Sequence, residues 1–142
     1  MVKAAVTRRQ TRTPDAASHG RAAVRKLHVL TYNIHKGFSQ FSARMMIHEL
    51  RRRLHGLNPD IVFLQEVQGL HERHAERRHD WPEGGQHDFL AEGVWPDTAY
   101  GGNAIYDHGH HGNAILSRFP ILSSHNQDIS ELRFERRGML HT

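Results

Sequence analysis

Between Leu27 and Glu66 two short apolar runs bracket an amphipathic stretch, and this order constrains the fold more than any other feature of the chain. The first run is Leu-His-Val-Leu-Thr-Tyr-Asn-Ile-His, Leu27 to His35. The second is Ile-Val-Phe-Leu-Gln-Glu-Val, Ile61 to Val67. Their β-branched and aromatic content makes both runs strands. The second is apolar on successive residues through Leu64, the pattern of a strand buried on both faces. Each run closes on a polar residue, Asn33 in one and Glu66 in the other. Burying an ionised glutamate costs several kcal/mol unless a cation, a metal or strong donors compensate it. Ligands collect at the carboxyl ends of strands in open α/β sheets. Asn33 and Glu66 therefore mark a metal or phosphate site.

Between the runs, Ser42 is placed to cap a helix reaching about Leu57. Ile47, Leu50, Leu54 and Leu57 recur at helical spacing and turn toward the sheet. Arg51, Arg52 and Arg53 fall in the second half, where cations complement the helix dipole, and read as a solvated face. Asn58-Pro59-Asp60 is a turn. If the two strands pair in parallel, the whole unit is a right-handed crossover. Gln68 to Gln86 is polar, with His71, His74 and His79, and reads as a surface loop near a binding mouth. His87 to Trp95 predicts a short helix packing through Phe89, Leu90 and Trp95. Strands follow at Thr98 to Tyr106, Gly112 to Ser117 and Ile121 to Ile129, with Pro120 at the turn between the last two. Arg137 to Thr142 opens another strand.

Three blocks carry a family resemblance: Thr-Tyr-Asn-Ile-His-Lys-Gly (Thr31 to Gly37), Leu-Gln-Glu-Val (Leu64 to Val67) and Gly-Asn-Ala-Ile-Leu-Ser-Arg-Phe-Pro-Ile (Gly112 to Ile121). In this order they resemble the endonuclease/exonuclease/phosphatase family, which includes DNase I-like nucleases, abasic-site nucleases, sphingomyelinases and inositol-polyphosphate phosphatases. The resemblance implies an α/β fold, the N-terminal half of a DNase I-like α/β sandwich with two packed mixed β-sheets flanked by helices. It also implies a phosphoesterase using Mg2+, with Mn2+ as the alternative ion. The substrate class is a phosphate ester: nucleic acid, phospholipid or inositol phosphate. Mg2+ takes a few carboxylate oxygens plus waters and phosphate oxygens, so one glutamate can anchor it. The ion then stabilises charge building on the phosphoryl and leaving oxygens.

By resemblance, Glu66 is the metal ligand and Asn33 the amide that positions the metal shell, the phosphate or the attacking water. His110 matches the position where the abasic-site branch carries a tyrosine that donates to phosphate. Asn113 follows a glycine as in DNase I-like members and orients that loop. Arg137, just before Gly138, stands where nuclease-like relatives present a cation to phosphate. The bland alternatives are a Glu66 paired with an arginine, a polar rim of His108, His110 and His111, and an Arg137 bridged to Glu131 or Glu135.

The family's second half carries an Asp-x-Asn motif and a final Asp-His pair. No Asp-x-Asn occurs in the 142 residues, and Asp107-His108 lies too early to be the final pair. The expectation is a basic disordered leader over Met1 to Lys26, then a truncated family domain over Leu27 to Thr142. At this length the domain is expected to be inactive and to fold poorly alone, because a lone sheet cannot keep its inner face dry. The competing reading is a non-catalytic module that binds nucleic acid or a phospholipid headgroup.

Charge bears on partners. Lys plus Arg number 19 against 15 acids, but seven of those cations and a single acid, Asp15, lie in Met1 to Lys26. That tail is suited to contact polyanions or to remain a solvated leader. The absence of cysteine excludes a disulfide framework and a Cys-ligated zinc site. No apolar run reaches membrane-spanning length and the start lacks a secretory h-region, so the expectation is a soluble, cytoplasmic protein.

Overall fold

The two apolar runs become neighbouring strands, and they pair in parallel. The computed structural model describes residues 5–7, 26–38, 46–71, 84–106, 109–131 and 136–142. Along these residues the order is β1 (Ala5–Thr7), β2 (Val29–Asn33), a tight turn at His35–Gly37, α1 (Ile47–Leu57), β3 (Ile61–His71), α2 (Gln86–Ala91), β4 (Asp97–Tyr106), β5 (Gly109–Ser117), β6 (His125–Asp128) and β7 (Gly138–His141). Val29 stands opposite Ile61 and Asn33 opposite Gln65, so β2 and β3 end side by side. The main sheet has the order β1-β2-β3-β5-β4, with every pairing other than β2/β3 antiparallel. It is a mixed sheet, as the α/β reading requires. Ala5–Thr7, inside the stretch expected as a leader, pairs with Val29–Thr31, while most of that stretch lies outside the described residues.

Both helices cover one face of this sheet. Their apolar stripes close over Leu30, Val62, Leu64, Val67, Ala114 and Leu116, with Ile47, Leu54, Leu90 and Trp95 completing the core. Trp95 also donates its indole N–H to the Pro59 carbonyl at 2.9 Å, which satisfies the one polar atom of a buried ring. The helix predicted from Ser42 is described from Ile47, and Ser42 lies outside the described residues. Leu57 does not join the stripe and stays 62% exposed. At 100° per residue it sits about 80° round from Ile47, and the left-handed Asn58 (φ 50) ends the helix there. Glu49 pairs with Arg52 and Arg53 at 2.8 and 2.6 Å, so these two form a paired, solvated face, whereas Arg51, paired with Glu92 at 2.8 Å, is half-buried over the Phe89 ring.

The other face differs from expectation. Phe63 is 39% exposed and Gln65 is exposed, so β3 is covered fully on one side only. Within the predicted strand Ile121 to Ile129, only His125–Asp128 is strand, and it pairs antiparallel with Gly138–His141 as a separate ribbon. This ribbon lies against β4 and β5. Asn113 donates to the Gly138 carbonyl at 2.8 Å and Asn126 to Asn103 Oδ1 at 3.0 Å. Two sheets thus face each other, with helices outside the larger one. β3 also runs on through Gln68 to His71, where the polar composition had predicted loop. His74 and His79 lie outside the described residues.

Candidate active site

The site begins with a miscount between strands. Leu64 stands opposite Ala114 and Val67 opposite Gly112, so three steps on β3 match two on β5. Leu64 and Val67 both enter the helix-side core, leaving Gln65 and Glu66 where a regular strand has one residue. This is a β-bulge, a device that re-aims a side chain. Glu66 absorbs it at φ 54, a left-handed conformation that costs a residue bearing a Cβ about 1–2 kcal/mol. Strain of this kind persists where the surroundings over-determine it, and it clusters at functional sites.

The re-aimed carboxylate meets the end of β2. Asn33 Nδ2 donates to Glu66 Oε1 at 2.9 Å, and Asn33 Oδ1 accepts the His35 backbone N–H at 2.9 Å. His35 Nδ1 lies 3.7 Å from Glu66 Oε2, an ion pair whenever the imidazole is protonated. Glu66 keeps 41% of its side chain exposed. It is therefore not the buried charge that the apolar run implied. Water reaches it, and the bulge rather than desolvation accounts for its placement.

His35, Lys36 and Gly37 are three successive left-handed residues, at φ 48, 59 and 78. Gln86, fully buried, holds the Lys36 carbonyl through Nε2 at 2.8 Å and accepts the Gln68 backbone N–H on Oε1 at 2.9 Å. Nothing in the sequence singles out Gln86, one amide at the end of a polar stretch.

The two histidines of the third block part company. His111 stands across from Gln68, and its titration is governed by groups of the site. Burial pushes its pKa down, the Lys36 ammonium pushes the same way, the Glu66 carboxylate opposes them, and His110 adds a smaller push down. His110, the residue matched by resemblance, joins a second cluster. Its Nδ1 lies 2.8 Å from the Tyr100 hydroxyl, and its ring lies where a side chain on Gly69 would be. Tyr100 in turn stacks on His87, centroids 4.8 Å apart at 12°. Asn113 ties β5 to the ribbon, and Arg137 sits exposed at the ribbon's start with its backbone held by Ser130. His108 lies outside the described residues. Asn33 and Glu66, expected together from the sequence, are in direct contact. His35, Lys36 and Gln86 are site groups beyond those expected, and His111 is more than a loop-rim histidine; of these, only His35 and Lys36 stand inside the first motif.

The second cluster sets a pH dependence. Burial pushes the Tyr100 hydroxyl up to about 12, so it remains a hydrogen-bond donor at any ordinary pH. Burial also holds His87 below its usual value, against the opposing pull of Asp88 and with a further push from His110. A histidine depressed in the folded state contributes stability above the unfolded pKa of about 6.5, and loses it as pH falls toward the folded value. His87 Nδ1 is buried without a partner, so a phenyl ring in its place sacrifices no hydrogen bond there. His87→Phe should flatten the fall of Tm between pH 7.5 and 5.5. At the acid end it should raise Tm by a few degrees, no more than about 1 kcal/mol for a partly exposed ring. An unchanged slope would remove His87 from the account.

One further atom bears on what the site can hold. Gln68, two residues past Glu66, is buried and its Oε1 has no donor. A buried acceptor left unpaired calls for a cation, a water or a ligand donor. The Glu66 carboxylate and the Asn33 amide are in direct contact, and their oxygens are hard donors of the kind that Mg2+ or Mn2+ takes. Among the described residues no three His, Asp or Glu side chains are gathered to hold a metal, so the arrangement is unlike a zinc cage.

Comparison with known proteins follows the same lines. The family model described as Endonuclease/Exonuclease/phosphatase family matches residues 30–140. The chain is 50% identical over 113 residues to the uncharacterized protein YbhP of Escherichia coli (strain K12), covering 80% of this chain and 45% of that protein. The YbhP of Shigella flexneri gives the same values. The chain thus spans about half the length of the curated relatives it matches. Among solved structures, an endonuclease/exonuclease/phosphatase from Beutenbergia cavernae superposes with a TM-score of 0.60 at 23% identity, over 80% of this chain and 33% of that one. A family protein from Leptotrichia buccalis gives 0.58 at 18%, over 80% and 48%. These two share the fold, the mixed α/β sandwich of DNase I-like proteins. With the strand-end pair, the bulge and a match over residues 30–140, the chain belongs to the endonuclease/exonuclease/phosphatase family.

Proposed function

We propose that the chain carries the metal-anchoring part of a divalent-metal-dependent phosphoesterase, with Glu66 as the anchor. The observation that carries this reading is the strained Glu66, held at φ 54 in a bulge and hydrogen-bonded to Asn33 while open to water. A salt-bridge carboxylate needs no such arrangement. When bound, Mg2+ or Mn2+ supplies positive charge where the phosphoryl and leaving oxygens become more negative. Asn33 fixes the carboxylate through Oε1 and leaves Oε2 toward the His35 side. Its Oδ1 spends one lone pair on the His35 amide and keeps the other for a metal or a metal-bound water.

His35 lies beside this carboxylate, and Lys36 and Glu66 both act on His111, a gathering of cationic or proton-donating groups that suits a phosphate ester. Arg137 is a further phosphate contact in this reading, with Asn113 tying β5 to the adjacent Gly138, while His110, held by Tyr100, lies in the second cluster. The substrate belongs to the phosphate esters, nucleic acid, phospholipid headgroup or inositol phosphate, and the basic Met1 to Lys26 favours a polyanion. No helix among the described residues is long and apolar enough to cross a membrane.

The test is a titration of the 142-residue chain with Mn2+, free ion being read by electron paramagnetic resonance. One saturable site displaced by Mg2+ is expected. A chain that never saturates would end the metal reading.

A further inference from the structure

We infer that Gln86 is the positioning residue of this site, setting the distance between the His35–Gly37 turn and the bulged strand that bears Glu66. The inference rests on the metal reading of Glu66 and adds what holds the metal end together. A run of three left-handed residues, two bearing a Cβ, does not hold itself. Asn33 Oδ1 fixes its entrance through the His35 N–H. Its centre is fixed from outside, by Gln86 on the Lys36 carbonyl.

The same carboxamide reaches β3 immediately past the bulge. Its oxygen takes the Gln68 N–H, so one planar group spans the two segments that converge on Glu66. Gln86 is fully buried, and a lost partner leaves a backbone group unpaired in the interior. The turn is also shaped to admit it. A Cβ on Gly37 would come 2.5 Å from Gln86 Nε2, so that glycine serves the close approach as well as its own φ of 78. Gln86 opens α2, whose Leu90 and Ala91 are anchored in the core, so the amide is mounted on a rigid support. Neither donor nor acceptor of this amide touches the carboxylate. Its effect on the site passes through Lys36 and Gln68.

Three substitutions separate positioning from general stability. Gln86→Met keeps the volume and removes both hydrogen bonds. Gln86→Asn keeps the amide one methylene too short, and covers the case in which the Met chain fails to fold. Gln86→Glu keeps an acceptor for the Gln68 N–H, and only its protonated form has a donor for the Lys36 carbonyl. The readouts are Mn2+ affinity of the 142-residue chain and its amide spectrum without metal. Met or Asn should weaken Mn2+ binding about tenfold, the lower end for outer partners of a metal site. The His35, Lys36 and Gly37 amide resonances should shift while those of β4 stay. With Glu, the deficit relative to the native chain should shrink as pH is lowered from 8 to 6, and the confinement of the amide shifts to the turn is what separates positioning from lost stability. Unshifted His35–Gly37 amides in a folded variant, or a pH-independent deficit with Glu, would overturn the inference. A native chain that binds no Mn2+ refutes the metal reading, and the metal-free spectra then still decide whether Gln86 holds the turn.

Discussion

Glu66→Gln is expected to lower the affinity of the chain for Mn2+ by about 100-fold or more, with the far-UV spectrum unchanged. The substitution preserves shape and one oxygen while removing the charge on which a hard cation depends. Loss of an outer partner alone weakens a metal site by about 10–100-fold, so loss of the anchoring charge sets that as a lower bound. The Asn33 Nδ2 hydrogen bond can survive, because glutamine also offers a carbonyl oxygen. The bulge, which is made by packing of Leu64 and Val67, survives as well. Any Mg2+-dependent phosphodiesterase activity of the protein should disappear with the binding. Undiminished Mn2+ affinity in the Gln chain would assign Glu66 to structure.

The second large effect lies in the sheet. Gly112→Ala is expected to destabilise the chain by about 3 kcal/mol or more, beyond ordinary overpacking. A Cβ at this position would collide with the Gly101 carbonyl and the Gly102 Cα, backbone atoms of the adjacent strand. A side chain in the way can rotate, but a neighbouring backbone cannot move without parting the strands. β5 is flanked on both sides, by β3 and β4, so the sheet has no slack there. Gly56→Ala is the internal control. That glycine lies in α1 with nothing within 4 Å of a new Cβ, and alanine there should stabilise by about 0.5–1 kcal/mol. Thermal unfolding of both chains reads the contrast. A Gly112→Ala chain melting with the native one would refute the close approach.

What the sequence displayed of this arrangement follows from the kind of signal each part emits. The strands β2 and β3 and the intervening helix were legible because β-branched apolar runs and apolar spacing at period 3.6 are local, whereas the parallel pairing of the two strands stood only as a condition. Asn33 and Glu66 were legible as strand-end polar residues and as motif members. The bulge was not. It exists only as a count of β3 against β5, and no local pattern records how many residues stand opposite how many. For the same reason the choice between His110 and His111 could not be read, since one step of register exchanges their faces. The exposed second face of β3 was missed because an unbroken apolar run looks the same whether one side or both are covered. The ribbon proved shorter than its predicted strand for want of apolar alternation after Leu122, which is 95% exposed.

The bulge carries a genetic consequence. Across it, Leu64 to Val67 on one strand answers Ala114 to Gly112 on the other, so Glu66 is the one supernumerary residue. Losing its single codon would bring Gln65 opposite Asn113 and leave every other side chain of β3 on its present face. The ladder would become regular from Ile61 to Gln68, leaving the second irregularity between Gln68 and His71, and the left-handed residue would vanish. Such a deletion is reachable in one in-frame event and would relieve the left-handed backbone at this position. What such a deletion would forfeit is the tie between strand ends, the Asn33–Glu66 hydrogen bond and the approach of His35, contacts that the extra residue alone supplies.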